Sequence, residues 1–308
     1  MSGLFDDFRS EFSKPNNTLV QLILVNLVVF LVLLLTKVGL TIANESPMYY
    51  LVREQLMIPG GIGAFIQKPW TLFTYFFAHD EIFHILYNML FLYWFGRLID
   101  EYLGSRRLVG LYFMGGIAGG LLYLIMYNTV PYFQGQAEVA RMLGASGAAF
   151  SVAVGAATLL PNYTFHLLFF GPVRIKYIVF FFIILSVAQS AGTNAGGNLA
   201  HLGGALMGFC YVKLLQNGTD LGRPIYWLAD GWSNLLRPKP PVKVSYRQRS
   251  NASAQTASPF VSSGSSSTAA SAPDQDEVDM ILDKISRSGY ESLTREEKQK
   301  LFRASQRN

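Results

Sequence analysis

The chain has 308 residues, 51% of them hydrophobic and 15% charged, with a net charge of +5 and a single cysteine, Cys210. Soluble domains carry roughly 25% charged residues, so an ordinary soluble domain is excluded, and one cysteine excludes both an internal disulfide and a Cys-based metal site. The positive charge is no nucleic-acid footprint, because the Lys and Arg residues lie beside apolar stretches and in the C-terminal tail.

The N-terminal MSGLFDDFRSEFSKPNN places acidic residues where a secretory signal would be basic, and no cleavage site follows the first apolar stretch, so no cleaved signal peptide is expected. A helix needs about 20 apolar residues to cross the hydrocarbon core. Six stretches qualify: Thr18–Thr36, Ile82–Leu98, Leu108–Tyr127, Gly144–Leu160, Val173–Ala191 and Leu199–Leu215. The expected fold is all-α, a polytopic membrane protein built as a six-helix transmembrane bundle with a disordered linker and a short helical cytoplasmic tail. The expected parts are an N-terminal segment 1–17, a six-span domain 18–216, a basic then disordered linker 217–272, and a helical tail 273–308.

Basic residues in short loops set orientation. Arg9 and Lys14, Arg106 and Arg107, Arg174 and Lys176, and Arg223 with Arg237, Lys239 and Lys243 all fall on one side. Both termini are therefore expected to be cytoplasmic, in a bacterial inner membrane. The second, fourth and sixth stretches then run inward, with their first turns near the outer face.

Those three first turns hold the polar residues. His84 and Asn88 are four apart and share a helix face. As an isolated pair they read as polar glue between helices, although polar residues inside a membrane also mark function. The fourth stretch opens Gly144-Ala145-Ser146-Gly147, with Gly147, Ser151 and Gly155 forming a small-residue ridge. Ser146 lies off that ridge, at a helix start whose free N–H groups and positive dipole favour a developing oxyanion. In the sixth stretch His201, Gly204 and Gly208 share one face, and the two glycines admit a close neighbour, for which the Gly147 ridge is the natural candidate. Alone, His201 reads as a packed core histidine. With Ser146 at the same depth it reads as a base beside a nucleophile. No Asp or Glu occurs between Glu138 and Asp220, so a Ser–His dyad is expected rather than a full triad, unless Asp80 or Glu81 contributes.

As an ordered set, these residues resemble the rhomboid family of intramembrane serine proteases, from about Pro69 to Val212. The pieces are Pro69-Trp70, His79, His84-x-x-x-Asn88, the glycines at 115, 116, 119 and 120, Gly144-Ala145-Ser146-Gly147, and Ala200-His201 with Gly204 and Gly208. The resemblance implies endopeptidase activity on transmembrane segments of other proteins, within the lipid bilayer and with no cofactor or metal. It implies Ser146 and His201 as the catalytic dyad, with His84, Asn88 and the Ser146 N–H stabilising the oxyanion. Two positions depart from the pattern. Thr71 follows Trp70 where many members have Arg. Phe150 stands where many have the Tyr that stacks on the catalytic histidine, so stacking is expected to survive without the phenol hydroxyl.

His79 is expected to structure the first loop, and His166 to be unrelated to the chemistry. Asn198, Asn194 and Thr193 form a polar cap, and Gly192, Gly196 and Gly197 suit a mobile connection. Phe180, Phe181 and Phe182 read either as a lateral gate or as lipid-facing packing. The stretch from Pro238 to about Ala272 is expected to be disordered. Beyond it, Val278, Ile281, Leu282 and Ile285 repeat at helical spacing before Gly289. Thr294-x-x-Glu297 is a capping box before a second short helix with Leu301 and Phe302. This tail suits a cytoplasmic partner or a weakly structured end. The competing functions are a catalytically inactive rhomboid-like protein that binds membrane clients, and a transporter. The first would lack Ser146 or His201; the second would carry mid-span charges.

Overall fold

The structure is a computed structural model. It describes residues 17–236, 275–288, 292–294, 296–297 and 300–301. The chain divides into two units, 1–241 and 242–308.

The first unit is mostly helical. In chain order its helices are α1 (Thr18–Ile42), α2 (Ser46–Glu54), α3 (Ile62–Gln67), α4 (Thr71–Thr74) running into a 3-10 turn (Tyr75–Phe77), α5 (Ile82–Leu103), α6 (Ser105–Thr129), α7 (Pro131–Gln134), α8 (Ser146–Leu159), α9 (Ile175–Ala188), α10 (Ala195–Gln216) and α11 (Arg223–Leu236). By length and composition, three of them can cross a membrane: α1, α5 and α6. Each of the other apolar stretches also contains a helix. However, α8 and α9 have 14 residues each, about 21 Å at 1.5 Å per residue, short of a hydrocarbon core of about 30 Å. Helix α10 has 22 residues, but Asn198, His201 and several glycines dilute its hydropathy.

Two small sheets depart from the all-α expectation. Strand β1 (Ile58–Pro59) pairs with β2 (Arg141–Met142), tying the long first loop to the segment before Ser146. Strands β3 (Thr164–Leu167) and β4 (Gly171–Arg174) form an antiparallel hairpin between α8 and α9. Gly171, at φ +68, supplies the left-handed turn residue. Val173, expected within the fifth span, is therefore in a strand. The apolar window could not separate strand from helix there. The start of the expected linker is likewise helical, as α11; Pro238–Ala272 lies outside the described residues, as do residues 1–16.

The core is a seam of small residues. Helices α8, α10 and α6 pack most closely on one another. A Cβ on Gly204 would collide with the Gly147 carbonyl, and one on Gly208 with the Ser151 backbone. Two backbones thus meet with no side chain between them, the packing that small-residue ridges permit. Helix α1 is held differently: buried Asn26 donates to the Tyr112 hydroxyl at 2.9 Å, and Tyr112 donates to the Phe76 carbonyl at 2.9 Å.

In the second unit, α12 (Gln275–Ser288) buries Ile281 and half-buries Val278 and Ile285, whereas Leu282 is exposed. The capping box forms: the Thr294 N–H donates to Glu297 Oε2 at 2.8 Å, and the Glu297 N–H to Thr294 Oγ1 at 3.3 Å. Lys284 pairs with Glu297 at 2.9 Å. Gly289 and Phe302 lie outside the described residues.

Candidate active site

Three helices bring Ser146, His84, Asn88 and His201 to one cavity of about 300 Å³. Ser146 is the first residue of α8, and no side chain caps that end. The turn before it is shaped by Gly144, whose φ of +125 suits glycine, and a Cβ there would meet the His84 ring. The Gly144 N–H donates to the Tyr75 carbonyl at 2.9 Å, and the Ala145 N–H to His79 Nε2 at 3.3 Å. His79 is fully buried, and its ring lies edge-on to His84 at 5.1 Å. Burial, reinforced by His84, pushes the His79 pKa down to about 3, so it stays neutral and accepts from Ala145. His79 therefore braces the turn that presents Ser146.

Asn88 sits one turn below His84 on α5 and donates to the His84 carbonyl at 2.9 Å. Its second amide proton remains available to the cavity. His201, on α10, lies flat against Phe150, centroids 4.2 Å apart and planes 8° from parallel. Phe150 in turn stacks on Phe91, which meets Phe182 edge-on. His201 Nδ1 lies 3.0 Å from the hydroxyl of Ser186 on α9.

The remaining residues sort by position. Asn194 and Asn198 line the cavity, and Asn198 holds the connection before α10 through the Gln189 and Asn194 carbonyls. A neighbouring polar cavity of about 500 Å³ shares His84, Leu143, Asn194 and Gly197 with it and adds Arg53, Asp80, Glu81 and Thr193. Asp80 is engaged by Arg53 at 3.0 Å and by the Tyr49 hydroxyl at 2.7 Å, and that cavity's lining does not include His201. Burial and this carboxylate raise the Tyr49 pKa. His166 lines an apolar cavity with Phe95 and Phe165 that shares Phe91 and Phe182, and none of the polar residues, with the Ser146 cavity. Of the three phenylalanines, Phe182 lines the Ser146 cavity, whereas Phe180 and Phe181 are exposed.

Sequence reasoning missed Ser186 and Gln189, both on the cavity wall. A signal existed for Ser186, a hydroxyl in the last turn of α9 directly after the apolar run Ile178–Leu185.

Residues 67–217 match the Rhomboid domain, and residues 269–307 match a family of unknown function, DUF6576. Similar proteins include "RHOMBOID-like protein 12, mitochondrial" of Arabidopsis thaliana, 38% identical over 184 residues, covering 54% of each chain. "Rhomboid protein 1, mitochondrial" of Saccharomyces cerevisiae is 36% identical over 152 residues, covering 48% of this chain and 42% of that one. "Rhomboid-like protease 1" of Toxoplasma gondii is 28% identical over 162 residues, covering 52% of this chain and 51% of that one. The chain thus matches about half the length of these relatives. Their names lend no support to the bacterial inner membrane expected above. Residues 67–217, from before α4 to just beyond the end of α10, thus carry a rhomboid-family domain, with relatives at 38% and 36% identity.

Proposed function

We propose that this protein is an intramembrane serine endopeptidase that cleaves transmembrane segments of other membrane proteins. In this reading the chain crosses the bilayer six times, α8 and α9 completing their crossings with the non-helical residues beside them, and both termini lie on the face that carries the basic loops. The short α8 fits within it: its N-terminus lies inside the membrane, so Ser146 sits below the surface. A substrate helix must unwind locally to offer its carbonyl, because helical hydrogen bonds shield the backbone.

The observation that carries this reading is the convergence of Ser146, His201, His84 and Asn88 from three helices on one cavity. Ser146 Oγ attacks the scissile carbonyl while His201 takes its proton. The oxyanion forms beside the uncapped start of α8, where the Ser146 N–H, His84 and Asn88 donate to it. Collapse passes the proton from His201 to the leaving amine, and a water then hydrolyses the acyl-enzyme by the same steps in reverse order of roles. The adjoining polar cavity supplies that water past Asn194. Phe150 holds the imidazole plane, and Phe182 stands where a substrate would enter beside α9. The protease name of the Toxoplasma relative agrees with this chemistry.

The test is labelling with a fluorophosphonate, alongside cleavage of a single-span substrate in liposomes. Labelling and cleavage that both vanish in Ser146→Ala support the dyad. Labelling that persists in Ser146→Ala sinks it, and the absence of both in the unmodified chain favours a client-binding rhomboid-like protein.

A further inference from the structure

Ser186 is 3% exposed, on the inner face of α9, and takes no part in the mechanism above. Its Oγ makes two contacts of equal length: 3.0 Å to the Phe182 carbonyl and 3.0 Å to His201 Nδ1. Each needs a proton between its heavy atoms. A hydroxyl has one proton and two lone pairs. If that proton pointed at Nδ1, two oxygens would face each other at 3.0 Å with nothing between them. The arrangement that satisfies both contacts has Ser186 donating to the Phe182 carbonyl, the usual back-bond of a serine within a helix, and accepting from Nδ1–H.

We propose that Ser186 is a positioning residue that fixes His201 as its Nδ1–H tautomer, leaving Nε2 unprotonated as the base. It takes the orienting part that a carboxylate plays in a Ser–His–carboxylate triad. Among the described residues no carboxylate lines the Ser146 cavity, and Asp80 and Glu81 line the neighbouring one, so the tautomer is set by a neutral hydroxyl. Phe150 fixes the plane of the ring and Ser186 fixes its rotation within that plane. The inference deepens the protease reading and rests on it for its kinetic consequence; the tautomer itself does not.

The experiment therefore has two arms. The first is ¹⁵N NMR of histidine-labelled full-length protein in micelles at neutral pH, in a Ser146→Ala background so that no nucleophile influences the ring. His201 is expected to have a protonated Nδ1 and a bare Nε2, and Ser186→Ala should convert it to a mixture of tautomers. The second arm is cleavage kinetics in liposomes. Because acid–base catalysis is worth about 10²–10⁴-fold, losing only its orientation should lower kcat about 10- to 100-fold with little change in KM. Ser186→Thr, which keeps the hydroxyl, should restore both the tautomer and kcat. A protonated Nε2 in the parent protein, or an unaltered tautomer in Ser186→Ala, overturns the inference, as does full kcat in Ser186→Ala. Lost activity with an unchanged tautomer also overturns it, by showing a merely structural role. If the tautomer is as stated but Ser146→Ala still cleaves, it is the protease reading that fails.

Discussion

The seam between α8 and α10 and the neighbouring helix α9 hold the site in opposite ways. At the seam, glycines bring two backbones into contact, so Ser146 and His201 are carried on elements that cannot shift without collision. Helix α9 turns Phe180 and Phe181 outward, each 61% exposed, and buries little beyond Ile175, Val179 and Ser186. On the proposed mechanism the reacting groups sit on the tightly packed pair, and the hydroxyl that orients the base sits on the helix that buries less of its surface. Displacing α9 would remove the acceptor from Nδ1 while leaving Ser146 in place. On the proposed mechanism, substrate entry beside α9 and orientation of the base are linked through one hydrogen bond.

The largest expected effect falls on the seam. Ser146→Ala and His201→Ala should each lower cleavage at least about 10³-fold, measured on a single-span substrate in liposomes. His166→Ala, in the apolar cavity below, should leave it intact. Activity above a few per cent in either seam variant, or its loss in His166→Ala, would mean the wrong residues have been paired. Next is Asn88→Ala. Loss of one oxyanion donor costs about 10²–10³ in rate, less here because His84 and the Ser146 N–H remain. An unchanged kcat would make Asn88 a packing residue only.

Stability separates the two regions directly. Gly204→Ala places a methyl against the Gly147 carbonyl and should cost about 1–3 kcal/mol, as overpacking does. Phe181→Ala, facing outward, should stay within about 0.5 kcal/mol. Thermal unfolding in micelles would compare them, and equal effects would erase the difference between the seam and α9.

A smaller effect concerns His79. Folded, it takes a proton only near pH 3; unfolded, near 6.5. Between those values the unfolded chain binds the extra proton, so stability should fall as pH drops from about 6.5 toward 3. His79→Gln should flatten that part of a Tm–pH profile; an identical slope would assign it to other groups. The smallest effect is expected from removing residues after Leu236. Cleavage in liposomes should keep kcat/KM within about tenfold, roughly 1.4 kcal/mol. A larger drop would make the second unit part of the catalytic machinery.

The sequence by itself located the helices of the first unit and the polar residues that one cavity brings together. Apolar stretches with few charges have few other ways to be satisfied, and His84, Asn88, Ser146 and His201 stand out as polar groups at helix starts. The glycines at 147, 204 and 208 were likewise legible as a close contact, because small residues at helical spacing leave no other way to pack. Where each helix ends was less legible. The strands at 164–167 and 171–174 follow from pairing with each other and from the turn at Gly171, which an apolar window does not register. Tertiary structure alone decided the partners. That His79 braces Ala145, that Phe182 rather than Phe180 or Phe181 faces the cavity, and that Ser186 meets His201 Nδ1 all depend on the rotation of one helix against another. That rotation is set by packing over the whole interface, and no local stretch of sequence contains it.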